Sequence, residues 1–446
     1  MSQAWAQTAP AATPAPAAEE EEKSDEKVVV TGSRLRKDEF TSSSPVQVID
    51  PAVAERKGDV DTAATIQSAP VAAGSAQITS AISSAFVTNG GPGASTVSLR
   101  GLGAERTLVL LNGRRAGPAG VRGAVGAFDL NVIPSSMISN VQVLKDGASS
   151  IYGSDAVAGV VNIVTEKGIE GLEMNVFTSQ PFENGGEVYR VSGAGGVKFD
   201  EGYIQLGLDY YKQNELKRGD RKYLDCPEEY IFGTNGNRND VIDARTGKSA
   251  CRDTLWGHVW VYDYTYLYTA NPSNLVAPNG NPIRRFQFNY AGDNLGAHIP
   301  TLTALTGPTG GDPALITVPA GWFPVGYDGP SFGVENAMHP FISDSTLIPE
   351  TKRITAYLDG AYQVDERLEI YGEALLNRRE TYQNGFRQFW QFGFSENFDT
   401  LGLGDPFATG FSGSMLISPT AITDHSDTSQ KVDYMRGVVG ARGDLG

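Results

Sequence analysis

The clearest pattern in the chain is an alternation of apolar and polar residues with a period of two. Along 353–362, Ile354 and Leu358 are among the apolar residues at even positions, and Arg353 and Asp359 are among the polar residues at odd positions. The same alternation recurs in 368–377 and in 203–210. Successive side chains of a strand point to opposite faces, so these segments predict β-strands with one apolar and one polar face.

The spacing of these strands favours a membrane barrel over a soluble sandwich with one wet face. Short turns are predicted at 198–202 and 363–367, and longer links at about 180–186, 214–350 and 381–430. Outer-membrane barrels have short turns on one side and long loops on the other, and tyrosines near the strand ends fit an interfacial girdle. Six long strands, starting at Gly171, account for the sequence to its end.

The distribution of aromatic residues marks a boundary near Gly168. Of the 18 Tyr, 19 Phe and 5 Trp, only five precede it. Before it, short β runs end in glycine turns, and Asp59–Ser68 predicts a short helix. The Ala/Pro-rich and acidic tail, 1–27, is predicted to be disordered. Its Ala4-Trp5-Ala6 matches a cleavage site, which we interpret as a signal-peptide remnant; a chance match in an Ala-rich tail is the alternative.

Charge and composition exclude several classes of function. The net charge of −16 argues against a nucleic-acid partner. The chain has no apolar run long enough for a membrane helix and no metal-ligand spacing, so we expect no metal and no cofactor. Cys226 and Cys251 are the two cysteines, and we expect them to form a disulfide in an oxidising compartment; two unpaired cysteines remain the alternative.

Two segments carry a resemblance to a known family. VSLRGLGAERTLVLLNGRR (97–115) and VQVLKDGASSIYGSDAVAGVVNIVTEKG (141–168) resemble the plug domain of TonB-dependent outer-membrane receptors. VVVTGSR (28–34) is similar to the start of mature chains in that family, where the TonB box lies. The resemblance covers 28–213 with high specificity and continues more weakly to the C-terminus.

The resemblance implies a mainly β fold, in which a small α/β plug fills an antiparallel transmembrane barrel of about 22 strands. It implies a TonB-box-like segment at 28–32, a plug at 33–168 and the first part of the barrel at 169–446, with a long extracellular loop at 214–350. The smallest single-chain barrels have about eight strands, so we expect a chain with six to be truncated and to lack about sixteen.

The same resemblance implies active uptake of a bulky nutrient, such as a siderophore, cobalamin, saccharide or peptide, across the outer membrane. TonB and its proton-driven inner-membrane motor, outer-membrane lipid and the nutrient are the implied partners, and the plug would face the periplasm. TonB would add a strand to the coupling segment by β-augmentation; the alternative is that this segment is the first strand of the plug sheet. The coupling residues would be Val28, Val29, Val30, Thr31 and Gly32.

Inside the plug, the motif residues predict structural or gating roles. Arg100 and Arg106 are expected to need carboxylates of the barrel, such as Asp359 or Glu373. Many family members carry a Glu-Arg pair and another Glu where this chain has Ser139, Asn140 and Gln142, so a salt-bridge lock at those places is in doubt. The plug candidates are Arg100, Gly101, Arg106, Asn112, Gly113, Lys145, Gly147, Tyr152 and Gly153.

Ligand contacts are expected from the plug loops 71–93 and 116–128 and from aromatic residues of the long loop. Neither plug loop is basic, which weighs against a highly anionic ferric siderophore. The evenly spaced aromatics either grip a ligand or form a strand between Trp260 and Tyr268 with a packed face. The candidates are Trp256, Trp260, Tyr262, Tyr264 and Tyr266.

Other functions fit the sequence less well. A ligand-sensing signal transducer is the main alternative, but only 27 residues precede the valines, and such transducers carry a further domain there. An enzyme is not expected, because no nucleophile–base constellation is present and Ser149-Ser150 lacks a strained nucleophile elbow. A surface adhesin or a docking site for colicin or phage stays open as an incidental role.

Overall fold

The computed structural model describes most of the chain between residues 46 and 443. The described residues are 46–59, 61–83, 91–118, 127–226, 228, 230–251, 260–263, 285–289, 292–299, 322–326, 329–334, 343–385, 415–418 and 427–443. The coupling segment 28–32, Trp256, Tyr264 and Tyr266 lie outside them.

Strands dominate the secondary structure, and the helices are short. The strands are β1 (Val46–Ile49), β2 (Thr107–Leu111), β3 (Arg114–Arg115), β4 (Ile138–Leu144), β5 (Gly159–Thr165), β6 (Gly171–Ser179), β7 (Val188–Phe199), β8 (Gly202–Gln213), β9 (Leu216–Lys217), β10 (Ile242–Asp243), β11 (Lys248–Ser249), β12 (Trp260–Asp263), β13 (Arg285–Phe288), β14 (Trp322–Val325), β15 (Thr346–Ile348), β16 (Glu350–Asp365), β17 (Leu368–Gln383), β18 (Met415–Ser418) and β19 (Thr428–Gly443). The α-helices are α1 (Pro51–Arg56), α2 (Thr62–Gln67), α3 (Ser149–Tyr152), α4 (Lys222–Asp225), α5 (Leu295–His298) and α6 (Gly329–Gly333).

The first five strands form one sheet in the order β1-β4-β5-β2-β3. Strands β2 and β5 run parallel and the other pairs antiparallel. Nearly every residue of β2 and β5 is buried, as expected for strands covered on both faces. We call the described residues between 46 and 168 the N-terminal unit.

Two capped helices cover this sheet. Asp50 precedes α1, and its carboxylate accepts a hydrogen bond from the Ala52 amide at 2.9 Å, with Pro51 at the first helical position. Asp61 caps α2 in the same way by accepting from the Ala64 amide at 2.7 Å. Helix α2 confirms the helix predicted within 59–68, and it ends at Gln67, ahead of Pro70.

The six long strands form a second sheet, in the order β19-β17-β16-β8-β7-β6, which we call the wall sheet. All its neighbours pair antiparallel. Two-residue turns join β7 to β8 and β16 to β17, where the sequence predicts short turns. The predicted count of six strands is confirmed. Among the described residues, no helix is long and apolar enough to cross a membrane.

Burial in the wall sheet is inverted relative to a soluble protein. On β16, Arg353 and Asp359 are 3 % and 1 % exposed, whereas Ile354 and Leu358 are 57 % and 44 % exposed. The polar face packs against the N-terminal unit, and the apolar face is open. A soluble sandwich would bury the opposite face, so this pattern favours a membrane strand whose apolar face points outward.

The height of the apolar face fits a bilayer. On β16 this face runs from Ile354 to Val364, eleven residues that span roughly 25 Å at about 3.3 Å per residue and a tilt of about 40°. At its first end, Lys352 pairs with Glu350, and Arg378, which is in register with Ile354, pairs with Asp433 of the next strand. Charged pairs therefore begin where the apolar face stops.

The long connections carry structure of their own. Strand β12, which contains Trp260 and Tyr262, belongs to a separate four-stranded sheet, β14-β13-β12-β18. It therefore adds no strand to the wall sheet. Because β18 comes from the link between β17 and β19, this small sheet joins the two longest connections.

The inverted burial predicts that charge on the open face is costly in proportion to its depth. Replacing Leu358 by Arg should destabilise the full-length protein in lipid vesicles by about 2–4 kcal/mol, because Leu358 lies near the middle of the apolar face. The matched change Val364→Arg, at its edge, should cost about 0–1 kcal/mol. Denaturant titration of vesicle-inserted protein measures both, and equal costs would contradict the lipid-facing assignment.

Candidate functional site

The interface between the N-terminal unit and the wall sheet concentrates buried charge. Its first part is built by the turn between β2 and β3, where Asn112 and Gly113 have positive φ angles of 52° and 76°. The Asn112 amide nitrogen Nδ2 lies within hydrogen-bond distance of Tyr357 Oη at 3.1 Å and of Glu373 Oε1 at 3.2 Å. Asn112 Oδ1 accepts from the Thr165 amide at 3.0 Å. The turn residue thus ties β5 to the wall.

Two wall carboxylates stand directly opposite each other. Asp359 of β16 pairs in register with Glu373 of β17, and both are buried. Like charges at opposed positions destabilise a sheet, so this pair needs cations. Lys167 of the N-terminal unit donates to both oxygens of Asp359 at 2.9 Å. Arg114 donates to Glu373 at 2.8 Å, and Arg436 of β19 donates to its second oxygen at 3.0 Å.

The wall also carries two opposed arginines, six residues nearer the charged end. Arg353 of β16 pairs in register with Arg379 of β17, and both are buried. Asp129 of the N-terminal unit forms an ion pair with Arg379. Asp61, the cap of α2, lies 3.9 Å from Arg353, whose guanidinium stacks 4.0 Å from the ring of Tyr211.

Charges on the two surfaces are therefore complementary at two heights. The wall is positive at the level of Arg353 and Arg379, and negative at the level of Asp359 and Glu373, about 20 Å further along the strands. The N-terminal unit presents aspartates at the first level and cations at the second. A shift along the strands would bring like charges together, so the pairs fix the position of the N-terminal unit against the wall.

Close packing adds a steric constraint. A Cβ atom built at Gly207 of β8 would overlap the side chain of Met137, which is fully buried. A Cβ atom at Gly93 would overlap Thr381 of β17, and Gly93 has a φ of +80°. These two glycines allow the N-terminal unit to approach the wall closely.

The expected contact of Arg100 and Arg106 with the wall carboxylates is wrong. Arg100 is exposed with a φ of 57°, and Arg106 donates instead to the carbonyl of Leu102 at 2.8 Å. Asp359 and Glu373 are interface carboxylates as expected, but Lys167 and Arg114 neutralise them. Residue spacing alone gives no direction for a side chain, so the motif does not reveal which cations of the N-terminal unit face the wall.

The remaining motif residues lie away from the wall pairs. Lys145 and Gly147 are exposed, and a Cβ atom at Gly147 would lie 3.1 Å from the Val157 carbonyl oxygen. Arg115 forms hydrogen bonds to the Tyr152 carbonyl and to Asp155, and its hydrogen bond lowers the pKa of the Asp155 carboxyl below the usual range. Gly101 and Gly153 have φ angles of 69° and 93°, consistent with turns.

Positions 139, 140 and 142 contribute no charge to the interface. They lie on β4, where Asn140 and Gln142 are buried and Gln142 accepts a hydrogen bond from Asn162 at 3.3 Å. The ion pairs between the N-terminal unit and the wall are formed by other residues. Sequence reasoning missed four interface residues, which are Arg114, Lys167, Asp61 and Asp129. Of these, only Lys167 has a sequence signal, because it is a cation at the junction between the N-terminal unit and β6.

Cys226 and Cys251 are joined by a disulfide in the structure. It links the end of α4 to the segment after β11, close to the ion pair of Arg245 with Asp243. Trp260 and Tyr262 lie in β12, as described above; the ligand role of the aromatic residues stays a prediction.

Comparison with known families supplies the assignment. Residues 38–160 match the family model described as the TonB-dependent receptor plug domain. Residues 38–160 form a plug domain of the TonB-dependent receptor family. The resemblance inferred from the sequence is confirmed, and the N-terminal unit is called the plug from here on.

Several solved structures of siderophore receptors are similar to this chain at low sequence identity. The siderophore receptor PirA from Acinetobacter baumannii is 17 % identical over 88 % of this chain and 44 % of its own, with a TM-score of 0.33. BauA, the ferric preacinetobactin receptor from the same organism, is 12 % identical over 92 % and 45 %, with a TM-score of 0.36. A mutant of the ferric enterobactin receptor PfeA from Pseudomonas aeruginosa is 14 % identical over 78 % and 43 %, with a TM-score of 0.33.

The chain spans less than half the length of these solved receptors. The family match over the plug carries the assignment, and the wall sheet supports it through its inverted burial.

The interface predicts a large difference between two adjacent arginines. Arg379→Met should lower the free energy of unfolding by about 3–5 kcal/mol, because it leaves Asp129 buried without its cation. Arg378→Met removes an exposed pair with Asp433 and should cost at most about 1 kcal/mol. Denaturant titration of the two variants provides the measurement.

A second change separates lost charge pairing from lost packing. In the Arg379→Met background, Asp129→Asn should recover part of the stability, since it removes the uncompensated charge. If it recovers nothing, or if the two arginine variants are equally stable, the buried pair does not hold the plug.

Proposed function

We propose that this chain is the plug-bearing part of an outer-membrane receptor that imports a bulky nutrient with energy supplied through TonB. The observation that carries the proposal is the buried charge between plug and wall. A plug held by matched ion pairs against the polar face of a membrane sheet blocks passage along that face.

The fold explains why such a receptor needs an outside source of energy. The buried ion pair of Arg379 with Asp129, two partly buried pairs and the tight contacts at Gly93 and Gly207 must break before the plug can move. Breaking a buried pair costs about 3–5 kcal/mol, more than binding of a nutrient readily supplies at each of several places. Pulling by a partner in the periplasm would meet this cost.

Val28–Gly32 is the segment that we propose as the handle for this partner. Three valines favour an extended conformation, and an exposed strand can be joined by a strand of another protein. Each backbone hydrogen bond contributes about 0.5–1.5 kcal/mol, so a few of them give reversible binding. The nutrient classes proposed are ferric siderophores, cobalamin, saccharides and peptides, and the proposed location is the outer membrane with the plug towards the periplasm.

Deleting 28–32 from the complete receptor should abolish energy-dependent uptake while ligand binding at the cell surface remains. A control deletion of five residues of the Ala/Pro-rich tail, 11–15, should leave uptake intact. Uptake and binding of a labelled nutrient by intact cells are the two measurements.

A single-residue comparison tests whether the backbone is what couples. Val29→Pro removes an amide donor and should impair uptake, whereas Val29→Thr keeps the donor and β propensity and should not. Uptake that survives the deletion, or that fails equally in the proline and threonine variants, would contradict coupling by β-augmentation.

A further inference from the structure

The plug contacts the two ends of the wall sheet in different ways. On the side of β16, β17 and β19, the plug touches the wall through the ion pairs described above and through the ring contact of Phe128 with Tyr434 at 6.2 Å. On the side of β6 and β7, a cavity of about 330 Å³ separates the wall from helices α1 and α2. A contact of Glu55 with Asn175 crosses this second side.

The charged residues that line the cavity are five carboxylates and one arginine, and they come from both partners. Glu55, Asp59 and Asp61 come from the plug helices, Glu166 from the segment leading to the wall, and Glu173 from β6. The first side of the interface pairs opposite charges, whereas this side gathers carboxylates, of which Asp61 also faces Arg353. The carboxylates of the plug helices repel Glu173 of the wall, which weakens the contact between plug and wall here relative to the ion pairs at β16 and β17.

One buried cation also lines the cavity. Arg190 of β7 is 5 % exposed and bonds Asp209 through Nε and Nη2. Its third nitrogen, Nη1, is buried and has no acceptor among the described residues. A molecule in the cavity with an oxygen acceptor would complete the hydrogen bonding of this guanidinium.

We propose that this cavity is the passage for the imported molecule, that the molecule is cationic or rich in uncharged hydroxyl groups, and that the plug parts from β6 and β7 while it stays paired with β16 and β17. The proposal rests on the uptake function proposed above. It deepens that function by naming the route and the substrate class.

The chemistry of the lining selects this class of molecule. Ammonium or hydroxyl groups donate to the carboxylates, and a hydroxyl or carbonyl oxygen accepts from Arg190. A polyanion would meet five carboxylates and one arginine already shared with Asp209, so it is disfavoured. The substrate class therefore follows from the excess of negative charge in the cavity.

Two buried residues in one row of the wall allow a matched test. Ser192 of β7 and Thr355 of β16 are each paired in register with Asp209 of β8 and are 3 % and 2 % exposed. Of these two residues, only Ser192 lines the cavity. Cysteine at either position is the single added thiol if the disulfide of Cys226 with Cys251 stays closed.

The test measures modification of Ser192→Cys and Thr355→Cys in the purified protein, prepared as the complete receptor chain, by two thiol reagents of opposite charge. The reagents are trimethylammonium-ethyl methanethiosulfonate and sulfonatoethyl methanethiosulfonate, with rates normalised to a free thiol. At position 192 the cationic reagent should react about tenfold faster or more than the anionic one. At position 355 both reagents should react much more slowly.

The charge preference must depend on the cavity itself. Glu55→Gln with Glu173→Gln should reduce the preference at position 192. The control pair Glu380→Gln with Asp433→Asn, on the open face of the wall, should leave it unchanged. Equal labelling at 192 and 355, or a preference for the anionic reagent, would overturn the proposal.

A cellular arm separates this inference from the proposed coupling. In cells that carry the complete receptor, the cationic reagent should label Ser192→Cys faster when the inner membrane is energised, and deletion of 28–32 should remove that increase. If the charge preference holds in the purified chain but labelling ignores both energy and the deletion, the TonB coupling fails and the cavity assignment stands. If the charge preference is absent, the inference fails whatever the cells show.

Discussion

The fold depends on two pairs of like charges that face each other across neighbouring wall strands. Arg353 opposes Arg379, and Asp359 opposes Glu373. Neither pair is stable in a sheet by itself, because repulsion at opposed positions adds to the cost of burying charge. The plug supplies the opposite charges at both heights. Wall and plug are therefore parts of one electrostatic unit, and each makes the other's buried charges tolerable.

This complementarity explains how a movable plug can still sit in one position. Apolar packing alone permits sliding along a strand, since one buried methyl group resembles another. Charge pairs at two levels do not permit it, because a displaced plug leaves buried charges unpaired. The glycines at 93 and 207 add shape to the charge pattern. The cost of separating plug and wall falls mainly on the side of β16 and β17. The repulsive cavity by β6 and β7 leaves that other side easier to open.

The sequence predicted the wall sheet well, because the period of two is set by backbone geometry and survives any arrangement of neighbours. It predicted the polar face, the six strands and the short turns. It could not show which face is buried, since a sandwich and a membrane barrel share one pattern; the exposure of Ile354 and burial of Asp359 decide this. The plug was predicted from motifs of the family rather than from periodicity.

The interface was predicted only on the wall side. Asp359 and Glu373 were expected to meet plug cations, and they do, but the cations are Lys167 and Arg114. Partners separated by about 190 to 260 residues are brought together by the packing of two sheets, which no local spacing encodes. Asp61 and Asp129 were missed for the same reason. Each is also a local cap, and that role hides the longer-range one.

Exchanging the charges of Lys167 and Asp359 tests the electrostatic unit most directly. Free energies of unfolding are compared for Lys167→Asp, Asp359→Lys and the double exchange. The account predicts that each single change is destabilising and that the double variant recovers most of the loss, with a coupling energy within about 0.5–3 kcal/mol. Losses that simply add, with coupling below about 0.5 kcal/mol, would contradict the claim that paired charges hold the plug to the wall.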